Sequence, residues 1–229
     1  MIRPVTLHHR IDGAGPGLVL LHGGGGTTDD LAALRDRLVP AHRVISADQR
    51  GHGRTPFEEP LTYAAMAGDT GSLLEDLGAG PSDLVGWSDG AIVALLVARD
   101  RPDLVRRVVA IGANVDSVPP EPGHLSPESI VQMTGLTADD LGLPPGVGEP
   151  LLAMWQGPPG ITFDDLGRID APLLFLAADR DLVTLDHTVG MFRAAAHGQL
   201  AIVPGADHSL PQTHADLVAA LIERFLAAE

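Results

Sequence analysis

Six short apolar runs, each set off by a segment of helical character, limit what this chain can fold into more than any other feature. Residues 17–21 (GLVLL), 44–47, 83–87, 105–111 (VRRVVAI), 172–178 (PLLFLAA) and 199–203 read as strands. Such continuous runs suit strands that are buried on both faces, as in a parallel sheet. Between them the pattern changes to helix. Thr27 or Thr28 caps a segment with Leu31, Leu34 and Leu38 on one face. Residues 62–78 and 185–196 give further helices, 91–98 (AIVALLVA) is apolar on every side, and 214–227 is amphipathic. Weak alternation over 4–11, ending in the turn-rich stretch 12–17, fits a hairpin connection. The fold class is therefore α/β, a mostly parallel sheet flanked by helices.

This rhythm breaks once. Residues 113–169 hold nine of the chain's 19 prolines and no strong strand, only short helices that Ser126, Thr137 and Thr162 can cap. The segment reads as a short helical cap inserted into a core made of residues 1–112 and 170–229. Its apolar residues Met133, Leu152, Met154, Trp155 and Phe163 are candidates to line a pocket. Met154, Trp155 and the core residue Trp87 are expected to contact the substrate.

Composition removes several chemistries. There is no cysteine, so thiolate nucleophiles, disulfides and cysteine-ligated metal sites are excluded. There is no lysine either, which excludes a P-loop lysine and a Schiff base. A net charge of -15 argues against nucleic acid and anionic membrane surfaces as partners. No charged N-terminal segment leads into an apolar stretch of signal length, and no run of 18 apolar residues occurs, so a cytoplasmic protein is expected. No cofactor and no metal are expected.

The stretch Gly86-Trp87-Ser88-Asp89-Gly90 joins a strand to the all-apolar helix. So tight a turn needs small residues two before and two after the serine, where a Cβ would strike a neighbouring strand or helix. Four glycines, 23–26, follow the strand 17–21; a loop without side chains can point a main-chain N–H into a pocket, as an oxyanion hole requires. His52, between two glycines, reads as a loop-packing residue. A serine hydroxyl needs a base of pKa near 7, and that base needs an acceptor to fix its tautomer. The glycine loop, Ser88, Asp179 and His208 all follow strands, on the edge where such sheets bind ligands.

The order Ser88, Asp179, His208 and the stretches LLHGGGG, DQRGHGRT, VGWSDG, LAADRD and GADH together resemble the α/β-hydrolase superfamily over nearly the whole chain. GWSDG is similar to its valacyclovir-hydrolase-like branch. The resemblance implies Ser88 as nucleophile, His208 as base, Asp179 as orienting acid and the backbone N–H groups of Gly24 and Asp89 as oxyanion hole. Asp181 and Asp116 are rival acids, and His187, His197 and His214 rival bases. The expected activity is hydrolysis of a small carboxylic ester, thioester or lactone through an acyl-enzyme, with a small acyl compound as partner. Non-hydrolytic or C–C-cleaving chemistry, or ligand binding with little turnover, are the alternatives. The Asp89 carboxylate, starting a helix beside the reacting carbonyl, is expected to favour neutral or amine-bearing acyl groups over anionic ones.

Overall fold

A computed structural model describes residues 3–116 and 143–228. Seven strands form one sheet: β1 (His9–Asp12), β2 (Gly17–Leu21), β3 (Arg43–Ala47), β4 (Ser82–Trp87), β5 (Val105–Ile111), β6 (Leu173–Arg180) and β7 (Gly198–Asp207), in the order β1-β3-β2-β4-β5-β6-β7. Only β1 is antiparallel to its neighbour, pairing with β3. Its connection to β2 is the turn-rich stretch 12–17, but the two strands do not pair; β3 lies between them.

Between the strands run α1 (Ala32–Leu38), α2 (Tyr63–Asp76), α3 (Asp89–Asp100), α4 (Gly148–Gln156), α5 (Phe163–Leu166), α6 (Leu185–Ala194), α7 (Leu210–Thr213) and α8 (Ala215–Leu226). Side chains alternate across each strand and so serve two cores. Val19, Leu21, Leu84, Val108 and Phe175 meet α2, α3, α4 and α5. Leu18, Leu20, Val85, Val109 and Leu176 meet α1 and α8 instead. Every residue from Ala91 to Ala98 in α3 is buried, which accounts for the helix being apolar all round.

Thr27 does cap the helical segment after the glycine loop, in a capping box with Asp30 that starts a 3-10 turn at Thr28–Leu31 running into α1. Thr162 forms the same box with Asp165 at α5. The expected caps at Ser126 and Thr137, and Met133, lie outside the described residues. The short helix α7, absent from the sequence reading, leads into α8.

The turn from β4 into α3 sets the geometry of the whole edge. Ser88 has φ +56°, and among the described residues it is the one non-glycine with positive φ. A Cβ on Gly86 would overlap the carbonyl of Gly90, and one on Gly90 would overlap the carbonyl of Leu21 on β2. Backbone stands in the way at both positions, so no rotamer change relieves the clash. Gly90→Ala is expected to destabilise the fold by about 1–3 kcal/mol. Gly68→Ala, exposed on α2 with no atom within 4 Å of the added methyl, is expected to stabilise it by up to about 1 kcal/mol. Urea unfolding of the two variants beside the parent chain measures both; an unchanged midpoint for Gly90→Ala would show that the elbow can relax.

Candidate active site

Strand ends bring the site together. β4 delivers Ser88, whose N–H donates to the Ile111 carbonyl at 2.8 Å. The loop after β7 carries His208, and its Nε2 lies 3.0 Å from the Ser88 Oγ. On the other side of the ring, Nδ1 lies 2.6 Å from Oδ1 of Asp181. A carboxylate only accepts, so Nδ1 carries the proton and Nε2 is left to take one from the serine hydroxyl. The Asp181 side chain is 1% exposed, which keeps water from competing for this bond.

Asp181 therefore occupies the position expected of Asp179. β6 runs to Arg180, and its pairing with β7 shifts register between Ala178 and Arg180, with Arg180 opposite Asp207. Asp179 is held inside this extension; it is exposed and accepts the Gly205 N–H at 2.7 Å. Asp181 is the first residue past the strand. The other rival, Asp116, binds by its own N–H to the Ile161 carbonyl at 2.7 Å and bridges to Thr162 just before α5. His187 accepts the Val115 N–H at 3.1 Å, and His214 pairs with Thr213, so neither competes with His208.

The glycine loop packs against the turn at Ser88, with Gly23 next to Ser88 and Gly24 next to the Asp89 carboxylate and the Trp155 ring. Among the described residues, the N–H groups of Gly24 and Asp89 donate to no protein acceptor.

The three residues expected at the substrate take different places. Trp87 follows Val85 by two and so points to the α1/α8 side of the sheet. Its indole N–H donates to the His208 carbonyl at 2.8 Å and thereby holds the histidine loop. Met154 is buried in the core on the other face. Trp155 does stand beside the site, but its indole N–H donates to Asp89 Oδ2 at 2.8 Å.

Asp89 Oδ1 accepts from the Tyr63 hydroxyl, also at 2.8 Å. The carboxylate expected to face the acyl group is thus turned inward, with both oxygens occupied. Burial pushes its pKa above the usual carboxylate range, and the two donors oppose that rise. The same burial, with Asp89 alongside, raises the Tyr63 pKa, so the phenol keeps its proton and donates.

Two arrangements had no signal in the sequence. Arg50 is fully buried and makes a two-bond ion pair with Asp69 of α2, at 2.7 Å each. His22 and His52 lie against the glycine loop with ring centroids 5.2 Å apart. Burial drops the pKa of His22 to about 4, and it also lowers that of His52. Among the described residues no group of three or more His, Asp or Glu side chains is placed to hold a metal ion, and no helix is long and apolar enough to cross a membrane.

Comparison with known proteins agrees with this architecture. A family profile described as alpha/beta hydrolase fold matches residues 16–135. The mouse (Mus musculus) sn-1-specific diacylglycerol lipase ABHD11 is 36% identical over 115 residues, 48% of this chain, and the match spans only 38% of that relative's length. Pimeloyl-[acyl-carrier protein] methyl ester esterase of Xanthomonas campestris is 30% identical over 263 residues, covering 97% of this chain and 99% of that relative. A thermophilic esterase from Thermogutta terrifontis superposes with a TM-score of 0.78 at 24% identity, over 96% of this chain and 92% of its own. On the family match and the near full-length relative, this chain belongs to the α/β-hydrolase fold family.

Proposed function

We propose that the protein is a serine hydrolase that cleaves a small carboxylic ester, thioester or lactone. One observation carries the reading: His208 stands 3.0 Å from the Ser88 Oγ on one side and 2.6 Å from the Asp181 carboxylate on the other. Ser88 Oγ attacks the substrate carbonyl as its proton passes to His208 Nε2. The negative charge that develops on the carbonyl oxygen meets the N–H groups of Gly24 and Asp89. The bond to the leaving group then breaks, and His208 hands that group its proton. Water repeats the sequence on the acyl-enzyme, losing a proton to His208 and releasing the free acid and Ser88. Throughout, Asp181 holds the ring in the productive tautomer and balances the imidazolium charge. Residues 113–169 would form the cap over this site.

Two further facts bear on the substrate. The relative covered almost end to end is named pimeloyl-[acyl-carrier protein] methyl ester esterase, which supports cleavage of a carboxylic ester. The net charge of -15 disfavours substrates presented on an anionic surface. A fluorophosphonate probe followed by peptide mapping tests the mechanism, and a panel of methyl esters and thioesters graded by acyl length then ranks substrates. A single adduct on Ser88 is expected. No adduct, or one on another residue, would refute the proposal.

A further inference from the structure

Four successive glycines cannot fix their own conformation. Glycine loses more backbone freedom on ordering than any other residue, and residues 23–26 have no side chains to pack. What holds them is two buried histidines, 1% and 0% exposed. His22 Nδ1 lies 2.7 Å from the Gly23 carbonyl, which also accepts the Gly26 N–H at 3.1 Å. His52 Nε2 lies 3.0 Å from the Gly25 N–H.

Their tautomers follow from their partners. A carbonyl only accepts, so His22 Nδ1 carries the proton, and His22 Nε2 accepts the Gln49 N–H at 2.9 Å. His52 Nδ1 faces the Arg50 carbonyl at 2.8 Å and must donate there, which leaves Nε2 to accept from Gly25. The two rings share one tautomer but face the loop with opposite ends. One donates to a loop carbonyl and the other accepts from a loop N–H.

The consequence falls on Gly24. In a trans peptide the N–H of Gly24 points opposite to the C=O of Gly23, so fixing that carbonyl fixes the N–H. The next peptide plane, shared by Gly24 and Gly25, is fixed by His52. Each plane on either side of the Gly24 Cα is thus tied to a different ring.

We propose that His22 and His52 are positioning residues for the oxyanion hole, holding the Gly24 N–H where the carbonyl oxygen of the substrate develops its charge. Neither touches substrate in this mechanism, and neither transfers a proton. Burial keeps both rings neutral, as a ring that must accept at Nε2 requires. The inference rests on the serine-hydrolase reading and adds to it the means by which a loop of glycines becomes a preorganised site.

Opposite ring ends give opposite rescue patterns. An Asn side chain places its polar atoms near the Nδ1 position of a histidine, and a Gln side chain reaches the Nε2 position. At residue 52 the loop contact is through Nε2: His52→Asn is expected to lower kcat about 10²-fold, while His52→Gln stays within about tenfold of wild type. At residue 22 the contact is through Nδ1, and the order reverses, with His22→Gln the more damaged. KM for a small ester is expected to stay within a few-fold in all four. Affinity for a trifluoromethyl ketone, which forms the tetrahedral adduct, is expected to fall in step with kcat/KM, while that for the product carboxylate holds.

Circular dichroism and urea unfolding check that each variant is folded; if one position does not tolerate replacement, the Asn and Gln pair at the other makes the comparison. Wild-type kcat in the folded variants, or equal losses for Asn and Gln with unchanged ketone affinity, would overturn the inference. Wild-type protein that fails to label at Ser88 would instead overturn the hydrolase reading, so the two failures are separable.

Discussion

Ser88→Ala is expected to lower kcat by about 10⁴- to 10⁶-fold and to abolish fluorophosphonate labelling. The magnitude follows from what is lost and what remains. Without Oγ no acyl-enzyme forms, and His208 has no hydroxyl to deprotonate. The oxyanion N–H groups and the binding surface stay, so a residue of catalysis over water persists. Alanine keeps a Cβ, so the strained backbone at φ +56° is neither worsened nor relieved, and the unfolding midpoint is expected to move little. Turnover of the best ester of the panel by freshly purified variant is the measurement. Activity within tenfold of wild type would remove Ser88 from the mechanism.

The second large effect separates two aspartates that are two residues apart. Asp181→Asn is expected to cost about 10³- to 10⁴-fold in kcat, because an amide in that place allows the wrong imidazole tautomer and supplies no counter-charge to the imidazolium. Asp179→Asn is expected to change kcat by no more than a few-fold. Its carboxylate is exposed and contacts the Gly205 N–H rather than His208. The amide oxygen of Asn can still accept that bond. Measuring kcat for both variants on one substrate decides the assignment; a larger loss at Asp179 would mean that the loop after β6 rearranges in solution.

The reason the sequence points to the wrong aspartate is specific. Asp179 and Asp181 both follow the apolar run 172–178, and nothing local says that β6 continues to Arg180 by pairing with a β7 that itself runs on to Asp207. Strand ends are set by the partner strand, which a reading of one segment does not contain. The meeting of Ser88 and His208 is legible because each position depends on a local pattern: glycines at fixed offsets, and a polar loop after the last apolar run. The strands were legible because burial on both faces leaves a continuous apolar signature. The face that Trp87 takes is legible as well: counting by two from Val85 places it on the α1/α8 side of the sheet, where its indole N–H meets the His208 carbonyl. The Arg50–Asp69 pair and the Gly25–His52 bond join residues 19 and 27 apart, and no periodicity announces a contact between a loop and a helix or between two loops.

Asp89 ties three elements that the chain could otherwise vary separately: α3 beside Ser88, α2 through Tyr63 and α4 through Trp155. Exchanging residues 113–169 for the corresponding segment of another member of the family would remove the Trp155 donor and leave a buried carboxylate with a single partner next to Ser88, a loss of about 1.5–3 kcal/mol for a hydrogen bond to a charged group. A graft must therefore either bring a donor to the position of the Trp155 indole or carry Asp89→Asn with it. Any attempt to alter the substrate range by transplanting the segment that carries α4 has to treat residues 63, 89 and 155 as one unit.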